Sequence, residues 1–174
     1  MSEAIQRAAV VAEARTWLGT PYRNQAFAKG LGVDCGFLLI EVYAACGLIE
    51  RFDPRPYSDE WHLHRADERY LGWVERFARP VEAPGAGDVV LWRVGRCFSH
   101  GGIVSEWPAP GVGPGRPGAP PAPGVGPGRP GAPQRVIHAY ARARLVEESD
   151  VSIGGELSDP KRPRRYFSLW GAQP

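Results

Sequence analysis

The stretch 32–48, GVDCGFLLIEVYAACGL, sets Cys35 where a glycine-bearing loop gives way to thirteen residues with Glu41 as their only charge. Apolar on nearly every side, the segment from about Cys35 to Cys46 predicts a buried helix, with Gly47 as its C-terminal cap. A cysteine that opens a helix faces the positive end of the peptide dipoles, which favours a thiolate. Cys46 lies at the opposite end, where the dipole works against ionisation, and Cys97 sits in an expected turn, VGRCFSH. From position alone Cys35 is either a small hydrophobe at the edge of a core or a nucleophile.

The elements on either side define the fold class. Apolar residues at Ala4, Ala8, Val11, Ala14 and Leu18 have helical spacing, and Gly19 and Pro21 stop that helix. A further helix is expected within 57–78, capped by Ser58 or Asp59, with Trp61, Leu71, Val74 and Phe77 on its apolar side. From about residue 88 the period changes, and strands are expected near 88–94, 100–107, 135–141, 143–147 and 165–170. Helices followed by a meander of strands predict an α+β fold, with N-terminal helices packed on an antiparallel sheet.

One segment belongs to neither class. APGVGPGRPGAP occurs at 109–120 and again at 122–133. So rich in proline and glycine, it has neither side chains for a core nor regular donors for a ladder. The expectation is one domain over 1–174, with 108–133 as an expanded hairpin loop between two strands. Loop-closure entropy grows only logarithmically with length, so an already long loop costs little more when lengthened.

Composition narrows the function classes. The chain has 174 residues, 43% hydrophobic and 23% charged, with a net charge of +2. That balance does not argue for nucleic acid. The basic run Lys161–Arg165 is either a solvated edge before the last strand or an attraction for an anionic polymer. No run approaches a membrane span, and the N-terminus carries no secretory signal pattern. A protein acting beyond the cytoplasm would need another carrier. Three cysteines at 35, 46 and 97 form neither a disulfide framework nor metal-ligand spacing, and neither a cofactor nor a metal is expected.

Histidines decide how Cys35 reads. His62 and His64 fall in a polar segment, whereas His100 and His138 fall on strands that flank the long loop and so pair antiparallel. One can take the thiol proton while the other bonds its second ring nitrogen and fixes the tautomer. Gly101 and Gly102 beside His100 leave space for a substrate.

Three stretches in order, GTPYRNQAFAKGLGVDCGFLLIEVY, PGAGDVVLWRVGRCFSHGGIV and VIHAY, resemble the NlpC/P60 family of cysteine peptidases. The likeness is to the phage-type branch, the cell-wall peptidases of phage tails, prophages and gene transfer agents. It covers nearly all of the chain outside the Pro/Gly repeat. It implies a papain-like α+β fold and hydrolysis of peptide bonds in peptidoglycan stem peptides. Cys35 is then the nucleophile, His100 the general base and His138 the orienting residue. Tyr22 matches a tyrosine that lines the oxyanion site, and Asp34 the acidic residue before the nucleophile, with helix capping as its plainer role. Tail-tip or tail-like particle proteins are the partners it implies. At Phe37 the chain departs from the small residue that the family carries two positions after its cysteine. A structural tail subunit with slack catalysis, and an amidase or transferase on the same site, remain as alternatives.

Overall fold

The computed structural model describes residues 1–57, 68–107, 135–151, 155–159 and 161–171. Three helices are described, α1 (Glu3–Arg15), α2 (Cys35–Ala45) and α3 (Arg69–Glu75), besides a 3₁₀ turn over Glu156–Ser158. Strands β1 (Phe27–Ala28) and β2 (Gly32–Val33) form a small hairpin just before α2. The main sheet contains β3 (Arg79–Val81), β4 (Val89–Val94), β5 (Cys97–Glu106), β6 (Arg135–Tyr140), β7 (Leu145–Asp150) and β8 (Arg164–Ser168). Its order is β3-β8-β4-β5-β6-β7, with every pairing antiparallel. The α+β expectation holds.

Helix α2 is the hub. Phe37, Leu38, Leu39, Ile40, Val42 and Tyr43 are all buried, and Glu41 reaches out to pair with Arg51. Asp34 stands before the first turn in an extended conformation and accepts from the Phe37 N–H at 2.9 Å, satisfying a donor the helix cannot. At the far end Gly47 turns with φ +68, its N–H bonding Ala44 and the next N–H bonding Tyr43, the paired closure that a left-handed residue permits. Phe37 is absorbed without displacing the start of the helix. It turns into the core, against Phe27 at 5.3 Å and Tyr57 at 6.5 Å between ring centres.

Core residues lie on both faces of the sheet. One face packs α1, α2 and α3 over Val89, Leu91, Ile103, Ile137 and Phe167. Alternate residues of the same strands, Val90, Trp92, Val104 and Val136, meet Val151 and Leu157 on the other. Strand-by-strand expectations differ from the structure in instructive ways. Cys97 is not in a turn: it opens β5 fully buried, because the turn is only Gly95 and Arg96, with glycine at φ +70. The expected helix over 57–78 is described only as α3, and its residues 58–67, with the proposed caps, Trp61, His62 and His64, lie outside the described residues. Strand β3 follows α3 on the sheet edge, where Pro80 costs no interior ladder bond.

Helix α1 faces the core with Val10, Val11 and Ala14; Ala4 and Ala8 are exposed. Because the helix ends at Arg15, Leu18 is exposed as well, and Trp17 enters the core with its indole N–H on Glu13. The N-terminal half is anchored by polar groups. Arg7 pairs with Asp88 at 2.9 Å and lies over Trp170. No described helix is long and apolar enough to cross a membrane. The basic run is locally engaged, with Arg162 on Glu156 and Arg165 on Glu75. The repeat at 108–133 lies outside the described residues. Its flanks do not: Glu106 and Arg135 are partners across β5 and β6.

Candidate active site

A cleft of about 230 Å³ opens where the N-terminus of α2 meets the β4–β5 end of the sheet. Tyr22, Asp34, Cys35, Tyr57, Tyr70, Ser99, His100 and Tyr140 are among its lining residues. Cys35 and His100 therefore face one space. A β-bulge helps bring them there. Phe98 pairs with Arg93 and His100 with Trp92, so Ser99 is an extra residue, and its carbonyl accepts from the Cys35 thiol at 3.8 Å. Among the described residues the thiol is bonded to that carbonyl and not to the His100 ring.

His100 and His138 do meet. Nε2 of His100 lies 2.8 Å from Nδ1 of His138, with ring centres 5.1 Å apart in an edge-on arrangement. Trp92 stacks on His100 and Tyr140 on His138, holding both rings from either side. Behind His138, Nε2 is 2.9 Å from Ser149 Oγ, and the Ser149 hydroxyl donates to Glu147 at 2.6 Å. Burial in this stack holds both imidazoles neutral. It pushes His100 well below the usual histidine range, aided by His138 and Arg162, and His138 down to about 4.

The thiol departs from the expectation that its helix position would favour a thiolate. Burial, and then the Asp34 carboxylate beside it, push Cys35 up to about 12. The Gly101 backbone N–H and the Tyr70 hydroxyl oppose this without overcoming it. At rest these groups are thus a neutral thiol and neutral imidazoles.

Asp34 does more than cap. The residue is 3% exposed, and its carboxylate accepts from the Gln25 N–H at 2.8 Å and the Tyr57 hydroxyl at 2.5 Å besides the cap bond. Burial raises its pKa despite these donors. Tyr22 is on the cleft wall, its backbone N–H tied to the Arg144 carbonyl. Gly101 is buried, and the room its missing side chain leaves is taken by protein rather than left open. A Cβ there would come within 2.5 Å of the Tyr70 hydroxyl and 2.9 Å of Leu91, while one on Gly102 would strike Val136 and crowd His138.

Tyr70, Tyr57, Ser149 and Glu147 were not legible as site residues. Tyr70, almost fully buried, donates to the Cys35 carbonyl at 2.9 Å and so fastens α3 to the first turn of α2. Alternation along VEESD was the available signal for the last two, since it puts residues 147 and 149 on one face of a strand.

The sequence matches no family model, and no curated protein sequence matches it significantly. Solved structures do match. The crystal structure of the NlpC/p60 domain of the peptidoglycan hydrolase SagA aligns over 91% of this chain and 96% of that one, at a TM-score of 0.51 and 18% identity. With helices set on an antiparallel sheet and a cysteine opening the buried helix, the chain has the papain-like α+β fold of an NlpC/P60 domain.

Proposed function

We propose that this protein is a thiol-dependent peptidoglycan endopeptidase that hydrolyses peptide bonds in stem peptides. The observation that carries the reading is the shared cleft: Cys35 at the start of a buried helix and His100 at its wall, with His138 bonded behind. The fold it shares with a domain of a peptidoglycan hydrolase supports the substrate class.

In this mechanism a substrate carbonyl entering the cleft is attacked by the Cys35 sulfur as His100 accepts the thiol proton. Backbone N–H groups at the first turn of α2 and the Tyr22 side chain stabilise the tetrahedral oxyanion. The proton held by His100 passes to the leaving amine, and water then hydrolyses the thioester. His138 keeps the His100 ring oriented throughout. The motifs around Cys35, His100 and His138 support a phage-type role, in which the protein reaches the wall as part of a virion or tail-like particle. The Glu106–Arg135 pairing supports 108–133 as a loop inserted in a single catalytic domain.

Incubating the protein with purified peptidoglycan and identifying soluble products by mass spectrometry tests the reading. New peptide termini within the stem support an endopeptidase. Release of intact stem peptides would make it an amidase. No release by a folded protein favours a structural subunit, a reading to which the thiol's engagement with Ser99 lends some weight.

A further inference from the structure

The two histidines leave a question of proton order. Between Nε2 of His100 and Nδ1 of His138 only one hydrogen fits, and two neutral imidazoles could supply it in either direction. If His138 donated, His100 would have to be protonated on Nδ1 and could not act as a base through that atom. Something beyond the pair must break the symmetry.

The answer lies on the next strand. Glu147 stands opposite His138 across β6 and β7, and Ser149 is two residues further on the same face. A carboxylate can only accept, so the short contact from Ser149 commits the hydroxyl proton to Glu147. The Ser149 oxygen is then left to accept from Nε2–H of His138 at 2.9 Å. A neutral His138 protonated on Nε2 has a bare Nδ1, which accepts Nε2–H of His100, and His100 is left with a bare Nδ1. The other polar groups about the rings do not compete. Arg162 is held by Glu156, and the Tyr140 hydroxyl also donates to Glu156. Trp92 directs its indole N–H to the Leu157 carbonyl.

We propose that Glu147 and Ser149 are positioning residues, fixing both imidazoles as Nε2–H tautomers so that His100 presents an unprotonated Nδ1 to the reacting thiol. The inference rests on His100 being the base, and it adds two residues that touch neither substrate nor nucleophile.

The test reads the tautomers directly and then the rate. Long-range proton–nitrogen correlation spectra of the full-length, 15N-labelled protein at neutral pH should show both His100 and His138 protonated on Nε2. Ser149→Ala should leave His138 in mixed tautomers, and Ser149→Thr, which keeps the hydroxyl, should restore the single form. Glu147→Gln can donate to Ser149 and release its proton toward His138, so Nδ1–H should become populated there. On a soluble muropeptide, Ser149→Ala and Glu147→Gln should lose about ten- to a hundredfold in kcat with KM little changed, as for a base held in the wrong tautomer. A wild-type His138 protonated on Nδ1, or a Ser149→Ala protein with unchanged tautomers and kcat, overturns the inference. Tautomers that respond as described in a protein releasing no wall peptide uphold the proton order and contradict only the hydrolase reading.

Discussion

Nε2 of His100 sits 2.8 Å from Nδ1 of His138, and the second ring is fully buried. One histidine therefore lines the cleft while the other is closed off behind it. Replacing His100 with Ala removes the only imidazole that lines the cleft among the described residues. It should lower hydrolysis of a muropeptide by about a hundred- to ten-thousandfold, the range for loss of a general base. His138→Asn should cost less, because the base survives and only its orientation is loosened. Equal rates for His100→Ala and wild type would remove His100 from the reaction.

Burial of His138 predicts a pH dependence of stability. Its folded pKa of about 4 lies below the usual 6.5, so the unfolded chain binds the proton more readily. The contribution is fully present above about pH 6.5 and is lost as pH falls from there through 4. The loss approaches about 3 kcal/mol for this group. Urea unfolding at pH 7.5 and pH 5 should show the wild type losing clearly more stability than His138→Asn over that interval. A parallel pH response in the two proteins would contradict the neutral, buried state assigned to His138.

Asp34 should matter to stability before it matters to chemistry. Asp34→Ala removes the α2 cap and leaves the Gln25 N–H and Tyr57 hydroxyl without their acceptor. A loss of about 2–4 kcal/mol is expected from a cap plus unpaired donors, measured as a shift in the urea midpoint. A loss below about 0.5 kcal/mol would mean that water or neighbouring groups replace the carboxylate without cost.

Joining β5 to β6 directly tests the inserted-loop reading. With Glu106 and Arg135 already partners, replacing residues 108–133 by Asn-Gly should leave both the urea midpoint and muropeptide hydrolysis near wild type. Lost hydrolysis in a folded, shortened protein would show that the segment reaches the cleft.

How far the sequence could be read depended on the range of the interactions involved. α2 was legible because its apolar run, its preceding Asp34 and its following Gly47 are contiguous, and local chemistry sets its ends. The pairing of His100 with His138 followed from two strands flanking one loop. Long-range contacts were not legible. Tyr70 reaches the Cys35 carbonyl from 35 residues away. The room beside Gly101, read as space for substrate, is filled by that same tyrosine, which no local pattern announces. The thiol's acidity was misread for the same reason, since the helix dipole is visible in sequence while burial and the field of a desolvated Asp34 are not. Leu18 went astray by a shorter route, through a helix that stops three residues before it.

The central claim is that the Cys35 sulfur forms the bond to substrate. Rates of peptide release from a soluble muropeptide, compared among Cys35→Ala, Cys46→Ser and wild type, test it most directly, with urea midpoints confirming that each variant is folded. Cys35→Ala should show no release above background and Cys46→Ser a rate within about twofold of wild type, since a nucleophile has no substitute while Cys46 lies at the opposite end of α2. A folded Cys35→Ala protein that releases peptide at the wild-type rate would contradict the account.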